Sequence, residues 1–109
     1  MSNHIKTNAN PDNRKDWVIT FKINEPAEIT LRFIPDKLIA EHQSLRDNIL
    51  GLINQQWETP EKLSLAIVEQ VNNELIPKWL EVTYHKDGIS VKVEDQQPGQ
   101  NKFNPPTHN

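Results

Sequence analysis

Apolar and polar residues alternate in four short stretches of the chain, a period-two pattern typical of β-strands with one buried face. The stretches are residues 17–23, 29–33, 79–85 and 89–94. The turn-forming residues 24–27 separate the first two, which therefore predict a β-hairpin. Asp87-Gly88 joins the last two and favours a type I′ turn, because both turn positions need positive φ. The pattern thus predicts two hairpins, one towards each end of the chain.

Between the hairpins, apolar residues recur every three or four positions, as they do in amphipathic helices. The first helix is predicted to follow Asp36, its expected N-cap, and to end near Ile53. The second is predicted to begin at Thr59-Pro60, because a threonine N-cap followed by proline is a favourable start. Pro77 ends it, since proline cannot donate the N–H that a helix interior needs.

The predicted order is strand-strand-helix-helix-strand-strand. It favours an α+β fold, in which a four-stranded antiparallel sheet carries two helices on one face. A ferredoxin-like arrangement is the alternative, but it needs a strand between the helices, and the pattern over residues 36–76 predicts none. Residues 16–95 form the one predicted domain. Residues 1–15 and 96–109 are polar and aperiodic, and both are expected to be disordered tails.

The predicted sheet has a second face, and that face is polar. Its residues are Thr20, Lys22, Thr30, Arg32, Glu81, Thr83, His85, Ser90, Lys92 and Glu94. Such a face can be exposed to solvent, as in many antiparallel sheets, or can line the lumen of a barrel built from several subunits. The outer strands of a small open sheet also lack partners, so we expect a homo-oligomer in which sheet edges pair.

Composition narrows the classes of function. A chain of 109 residues fits one domain. A net charge of −3 argues against binding to nucleic acid or to an anionic membrane surface. No stretch approaches the ~20 apolar residues of a membrane span, and the first residues have no apolar signal-peptide core, so a cytoplasmic protein is expected. The chain has no cysteine, which excludes disulfides, thiolate metal sites and a cysteine nucleophile.

Several local segments stand in the same order and spacing as in one known family. They are Phe33-Ile34-Pro35-Asp36-Lys37, Glu41-His42-Gln43-Ser44-Leu45-Arg46, Thr59-Pro60-Glu61, Trp79-Leu80-Glu81-Val82 and Gly88-Ile89. Together with the order of elements, they resemble the tunnelling fold (T-fold), and within it the nitrile reductases of queuosine biosynthesis, which reduce a cyano-deazaguanine with NADPH. The resemblance covers roughly residues 29–93 and implies subunits that join their sheets into barrels.

The resemblance also implies a ligand site. Residues 41–46 are similar to the family's Glu-x-Lys-Ser-x-Lys motif, which serves cofactor binding. Thr59-Pro60-Glu61 stands where the family has Phe-His-Glu, whose glutamate binds the guanine-like edge of the substrate. The residues expected to bind a purine- or pterin-like ligand are therefore Glu61, Glu41, Ser44 and Arg46.

This sequence departs from the family at the chemistry itself. The family's cysteine attacks the nitrile to form a thioimide, and this chain has no cysteine. Gln43 and Arg46 stand in place of lysines, and Pro60 stands in place of the histidine before the glutamate. Nitrile reduction by the family's mechanism is not expected here, and we predict neither a catalytic residue nor a cofactor.

Each candidate residue also has a purely structural interpretation. Glu61 can simply complement the dipole of its helix, a contribution of about 0.3–1 kcal/mol. Arg46 can lie on a solvated helix face, and His42 lies on the apolar stripe of the first helix, at the rim or in the core. Two central histidines are too few for the three-histidine zinc site of the fold's pyruvoyl-tetrahydropterin synthases, so no metal is expected. Two classes of function remain open: a purine- or pterin-binding protein, and a structural or interaction module without a small-molecule site.

Overall fold

A four-stranded antiparallel sheet carries both helices on one face. The computed structural model describes residues 4–98. Its strands are β1 (Thr7–Ala9), β2 (Ile19–Ile23), β3 (Glu28–Ile34), β4 (Leu38–Ala40), β5 (Trp79–Lys86) and β6 (Ile89–Gln96). Its helices are α1 (His42–Ile53) and α2 (Pro60–Leu75), which follow β4. The large sheet has the order β2-β3-β5-β6, and a separate two-stranded sheet pairs β1 with β4. The predicted α+β fold is confirmed.

The two predicted hairpins form the large sheet. β2 pairs with β3 and β5 pairs with β6, while the central β3–β5 pairing joins the two hairpins in antiparallel register. Asp87 and Gly88 have φ values of 53° and 81°, so both turn positions adopt the positive φ that the Asp-Gly dipeptide predicted. No strand lies between α1 and α2 in the described chain, so the ferredoxin-like alternative is excluded.

The core lies between the helices and one sheet face. Alternate residues of the central strands are buried there, as the period of two requires. These are Ile29, Leu31 and Phe33 of β3 with Leu80 and Val82 of β5. The helices contribute residues spaced three or four apart, namely Leu45 and Ile49 of α1 with Leu63, Ile67, Val71 and Leu75 of α2. All of these side chains are at most 6% exposed, so both predicted apolar stripes face the sheet.

The predicted start of the first helix is wrong, because a short strand precedes the helix there. Leu38–Ala40 pairs with Thr7–Ala9 as β4, and α1 begins only at His42, with Glu41 as its N-cap. The apolar run at residues 38–40 suits either structure when considered alone. Pairing with β1 decides between them, and it is a contact with residues about 30 positions away in sequence, which local periodicity does not register.

The N-terminal residues are more ordered than predicted. Ile5 is 4% exposed and belongs to the core. The backbone N–H of Ile5 donates to Glu74, and that of Lys6 donates to the hydroxyl of Ser44 at 2.8 Å. The expectation of a disordered tail over residues 1–15 is therefore corrected for the part that contains β1. Residues 1–3 lie outside the described residues.

The C-terminal prediction is corrected at its boundary. β6 extends to Gln96, and the side-chain amide of Gln97 donates to Asp36 and to the carbonyl of Ile76. These two residues, which were expected to begin a disordered tail, are held against the domain. Residues 99–109 of the predicted tail lie outside the described residues.

The second face of the large sheet is polar, as predicted, but the side chains at one end of it are buried. Trp79 is 1% exposed and its indole N–H donates to Glu94. Glu81 is 7% exposed, and Arg32 donates to its carboxylate at 2.9 Å. The polar face therefore holds a partly desolvated group of charges beside a buried indole. Among residues 4–98, no helix is long and apolar enough to cross a membrane.

Candidate functional site

Glu61 lies in the first turn of α2, whose start follows the predicted capping pattern. Thr59 has extended backbone angles, and its hydroxyl accepts the N–H of Lys62 at 3.2 Å. Pro60 occupies the beginning of the helix, where its missing N–H costs nothing. The local geometry therefore holds the Glu61 carboxylate at a well-defined helix start.

The Glu61 carboxylate has no partner within the described chain. Its side chain is exposed, and no hydrogen bond or ion pair joins it to any residue between 4 and 98. The nearby cation, Lys62, instead pairs with Glu58. A carboxylate that is free of internal partners and fixed to a rigid helix start is available to an external donor.

A cleft of about 250 Å³ opens beside this helix start. It is lined by Pro26, Ala27, Ile53, Gln55, Trp57, Glu58, Thr59, Pro60, Leu63, Tyr84 and Lys86. Two aromatic rings contribute to its wall, and the indole N–H of Trp57 is fixed by donation to the carbonyl of Leu52 at 2.6 Å. Glu61 itself does not line the cleft, although the residues immediately before it do. Within one chain, the Glu61 carboxylate therefore lies next to the cleft but outside it.

Glu41 and Ser44 are engaged in the structure of the chain itself. The Glu41 carboxylate caps α1 by accepting the N–H of Ser44 at 2.8 Å. The Ser44 hydroxyl accepts the N–H of Lys6, which ties the N-terminal segment to the helix. Both residues also line an open cleft of about 460 Å³, with His4, Ile5, Lys6, Gln43, Asp47 and Asn48. Their observed hydrogen bonds are those of a helix cap and a strand anchor.

Arg46 stands over an aromatic ring on the neighbouring strand. Its guanidinium carbon is 5.0 Å from the centre of the Phe21 ring, a cation–π distance. Arg46 is exposed and forms no ion pair with the described residues. His42, predicted at the rim or in the core, is exposed at the first position of α1.

The four predicted ligand-binding residues do not converge within one chain. Glu41, Ser44 and Arg46 lie at the beginning of α1, whereas Glu61 follows the loop at its end. Because α1 has 12 residues, its two ends are roughly 18 Å apart at the helical rise of 1.5 Å per residue. A site that used all four residues would need more than one copy of the chain.

The histidines do not form a metal centre in the described part of the chain. His85 lies on the polar sheet face and hydrogen-bonds Ser90 at 2.8 Å, while His4 contacts Glu74. Residues 4–98 contain no group of three His, Cys, Asp or Glu side chains arranged to hold a metal ion.

Sequence reasoning missed one cavity entirely. It lies between β2, β4 and α1, and Ile39 and Ala40, which form a strand where a helix was predicted, line it. A signal was available in Trp17, Phe21 and Phe33, three aromatic residues on one side of the first hairpin. Alternation alone assigned them to the core without showing that they enclose a space.

Comparison with known proteins gives a match of structure alone. No protein-family profile matches the chain, and no curated protein sequence does. A crystal structure of the archaeosine synthase QueF-Like in its apo form is similar, with a TM-score of 0.54 and 16% sequence identity. The match covers 75% of this chain and 94% of that one. At this identity the likeness establishes architecture only: the chain shares the α+β fold of that archaeosine synthase QueF-Like structure.

Proposed function

We propose that this chain is a tunnelling-fold subunit that binds a purine- or pterin-like ring through Glu61, without nitrile reductase activity. One observation carries the proposal: a carboxylate without a partner among residues 4–98 stands at a capped helix start beside an aromatic-walled cleft. Ligand pockets typically combine apolar walls with a few placed polar groups, and the two halves of that combination are adjacent here.

The chemistry of a carboxylate suits the polar edge of guanine or a pterin. Its two oxygens can accept parallel hydrogen bonds from a ring N–H and an exocyclic amine. Each charge-assisted bond contributes about 1.5–3 kcal/mol when water is excluded. The rings of Trp57 and Tyr84 would offer apolar contact to a flat ligand lying across the cleft.

Exclusion of water from Glu61 would require a second subunit. The sheet order leaves β2 and β6 as edges, each with one side unpaired within the described chain. Pairing of these edges between copies would extend the sheet and bring elements of a neighbour towards the ends of the helices. We therefore propose a homo-oligomer in which the site is completed at a subunit contact.

The absence of cysteine separates this proposal from nitrile reduction. The family that the sequence resembles forms a covalent thioimide on cysteine, and none of the 109 residues is cysteine. The proposed activity is therefore binding, with no covalent step on a thiol.

A second candidate function is a structural or interaction module without a small-molecule site. The positions of Glu41 and Ser44 favour it, because both side chains are used for capping and anchoring. The exposure of Glu61 and its absence from the cleft wall favour it too. The two candidates differ in one measurable respect, which is whether a guanine-like ligand perturbs the start of α2.

The test is a titration of isotope-labelled full-length protein with guanosine, a 7-deazaguanine and pterin. We expect amide shifts confined to residues 57–63, and about 30- to 1000-fold weaker binding by Glu61→Gln, because one ligand N–H would then face an amide N–H. Glu69→Gln is the matched control, since Glu69 is exposed on the same helix and should bind like the unmodified chain.

Two outcomes would contradict the assignment. One is the absence of shifts at millimolar concentrations of all three ligands, and the other is equal binding by Glu61→Gln and the unmodified protein. Either result leaves the interaction module as the function to pursue.

A further inference from the structure

A separate cavity of about 310 Å³ lies at the other end of α1, between that helix and the strands β2 and β4. Its lining residues are Trp17, Ile19, Thr20, Phe21, Phe33, Ile39, Ala40, His42, Leu45 and Arg46. None of them lines the cleft beside Glu61. The cavity therefore stands apart from the site of the proposed function.

The walls of this cavity are apolar, and its floor belongs to the core. Phe33 and Leu45 are each 1% exposed, and Ala40 is 6% exposed. Trp17, Ile19 and Phe21 are half-buried and form the side that leads to solvent. Three aromatic rings around a small space provide flat apolar contact for one ring or a short chain.

The lining of this cavity includes the cation Arg46 and no carboxylate. His42 lines the cavity as well. The first turn of α1 contains no acidic residue, and the carboxylate at its N-cap, Glu41, is occupied by the N–H of Ser44. Another nearby carboxylate in sequence, Asp47, accepts the side-chain amide of Gln43. Both carboxylates line the neighbouring cleft instead.

Arg46 is exposed, but it contacts the Phe21 ring at the edge of the cavity. Its guanidinium carbon lies 5.0 Å from the centre of the Phe21 ring, and no carboxylate among residues 4–98 forms an ion pair with it. A guanidinium presents paired N–H donors that match the two oxygens of a carboxylate. The rim therefore holds a planar cation whose donors are available, directly beside an aromatic cavity.

We propose that this cavity binds a small organic carboxylate, with its apolar body between the aromatic rings and its carboxylate on Arg46. The volume lies near the lower end of the roughly 300–1,000 Å³ of small-molecule pockets, which suits one ring with a short acidic arm. His42 also lines the cavity, and its ring N–H adds a donor for the anion.

The probe for this proposal is phenylacetate, and its neutral counterpart phenylacetamide is the matched control ligand. Labelled full-length protein should show shifts at the amides of residues 39–46 and at the Trp17 indole when phenylacetate is added. Phenylacetamide should bind at least about tenfold more weakly, because it lacks the charge that a guanidinium recognises.

Three variants separate recognition from folding. Arg46→Gln should weaken phenylacetate binding by about tenfold or more, and Arg46→Lys, which keeps charge without the planar fork, should lie between it and the unmodified protein. Arg14→Gln removes the same charge from an exposed arginine that does not line the cavity, and should bind normally. Because Arg46 is exposed, its replacement should leave the unfolding transition nearly unchanged.

Several results would overturn the proposal. They are equal binding of the acid and the amide, unchanged binding by Arg46→Gln, shifts that appear only near Glu61, and no shifts at millimolar phenylacetate. Since the Glu61 and Arg46 variants are read with different ligands at different amides, failure of one site leaves the result at the other interpretable.

Discussion

The guanidinium of Arg32 donates to the carboxylate of Glu81 across neighbouring strands, with 2.9 Å between Nε and Oε1. The two residues are direct partners in the β3–β5 register, on the sheet face that points away from the helices. Their side chains are only 17% and 9% exposed, and the guanidinium also lies 5.3 Å from the centre of the Trp79 ring. One end of the predicted polar face thus contains an ion pair that is largely shielded from solvent.

Replacement of Arg32 should destabilise the fold, because it leaves the nearly buried Glu81 carboxylate without its close partner. In Arg32→Met the Glu81 carboxylate keeps Lys92 as its one ion-pair partner among residues 4–98. The Lys92 ammonium is 3.6 Å away and its side chain is 60% exposed. We expect the free energy of unfolding to fall by about 2–4 kcal/mol, because a nearly buried charge loses its close partner. Urea denaturation followed by circular dichroism would measure it.

The matched control for this pair is Lys92→Met. Exposed ion pairs contribute about 0–1 kcal/mol, so this variant should lose less than ~1 kcal/mol. The double variant Arg32→Met/Glu81→Leu should lose less unfolding free energy than Arg32→Met and Glu81→Leu lose in sum. The reason is that the double variant leaves neither charge of the pair buried without its partner. A loss in Lys92→Met as large as that in Arg32→Met would show that burial does not decide the energetics.

Two glycines should respond in opposite directions to the same substitution. Gly51 lies within α1, Gly88 has φ +81° in the last hairpin, and an added Cβ meets nothing within 4 Å at either site. Gly51→Ala should stabilise the chain by about 0.5–1 kcal/mol, because alanine loses less backbone entropy in a helix. Gly88→Ala should destabilise it by about 1 kcal/mol, because a Cβ disfavours positive φ.

Thermal unfolding of both alanine variants beside the unmodified protein would check this. Destabilisation by Gly51→Ala would mean that α1 is not regular at that point. A neutral Gly88→Ala would mean that the turn relaxes out of positive φ.

Edge-to-edge assembly makes a specific prediction about two exposed apolar residues. Ile89 is 50% exposed on the edge strand β6, and Leu65 is 55% exposed on α2. If copies pair through sheet edges, Ile89→Lys should weaken association by placing a charge at the contact, whereas Leu65→Lys should not. Light scattering over a range of concentrations would compare the two variants with the unmodified protein.

A protein that stays monomeric at high micromolar concentration would contradict assembly of the isolated chain. Dissociation by Leu65→Lys with no effect of Ile89→Lys would instead place the contact on the helices. Both positions are exposed, so each variant should keep the stability of the unmodified chain within about 0.5 kcal/mol.

The elements with local causes could be predicted from the sequence alone. The start of α2 follows from Thr59-Pro60, where the observed cap uses the threonine hydroxyl. The last hairpin follows from Asp87-Gly88, whose positive φ values are a property of that dipeptide. Period-two and helical spacing likewise identified the buried face of the central strands β3 and β5 and of both helices, because a side chain's direction is set by its own backbone.

The elements with distant causes could not be predicted in this way. Leu38–Ala40 is a strand because Thr7–Ala9 lies beside it, and Ile5 is buried because Glu74 and Ser44 hold the backbone around it. These contacts join residues far apart in sequence, so no local window contains both partners. The predicted tail and the predicted helix start were wrong for this one reason.

The features of the candidate site likewise fall into those with local causes and those set by tertiary contacts. The sequence by itself determined that Glu61 stands at a helix start, that Arg46 lies on the first helix, and that no cysteine is present. Only the tertiary structure decided what surrounds them: a cleft beside Glu61 that does not include it, and a Phe21 ring beneath Arg46. A cap is made by neighbouring residues, whereas a pocket is made by elements that meet only after the chain has folded.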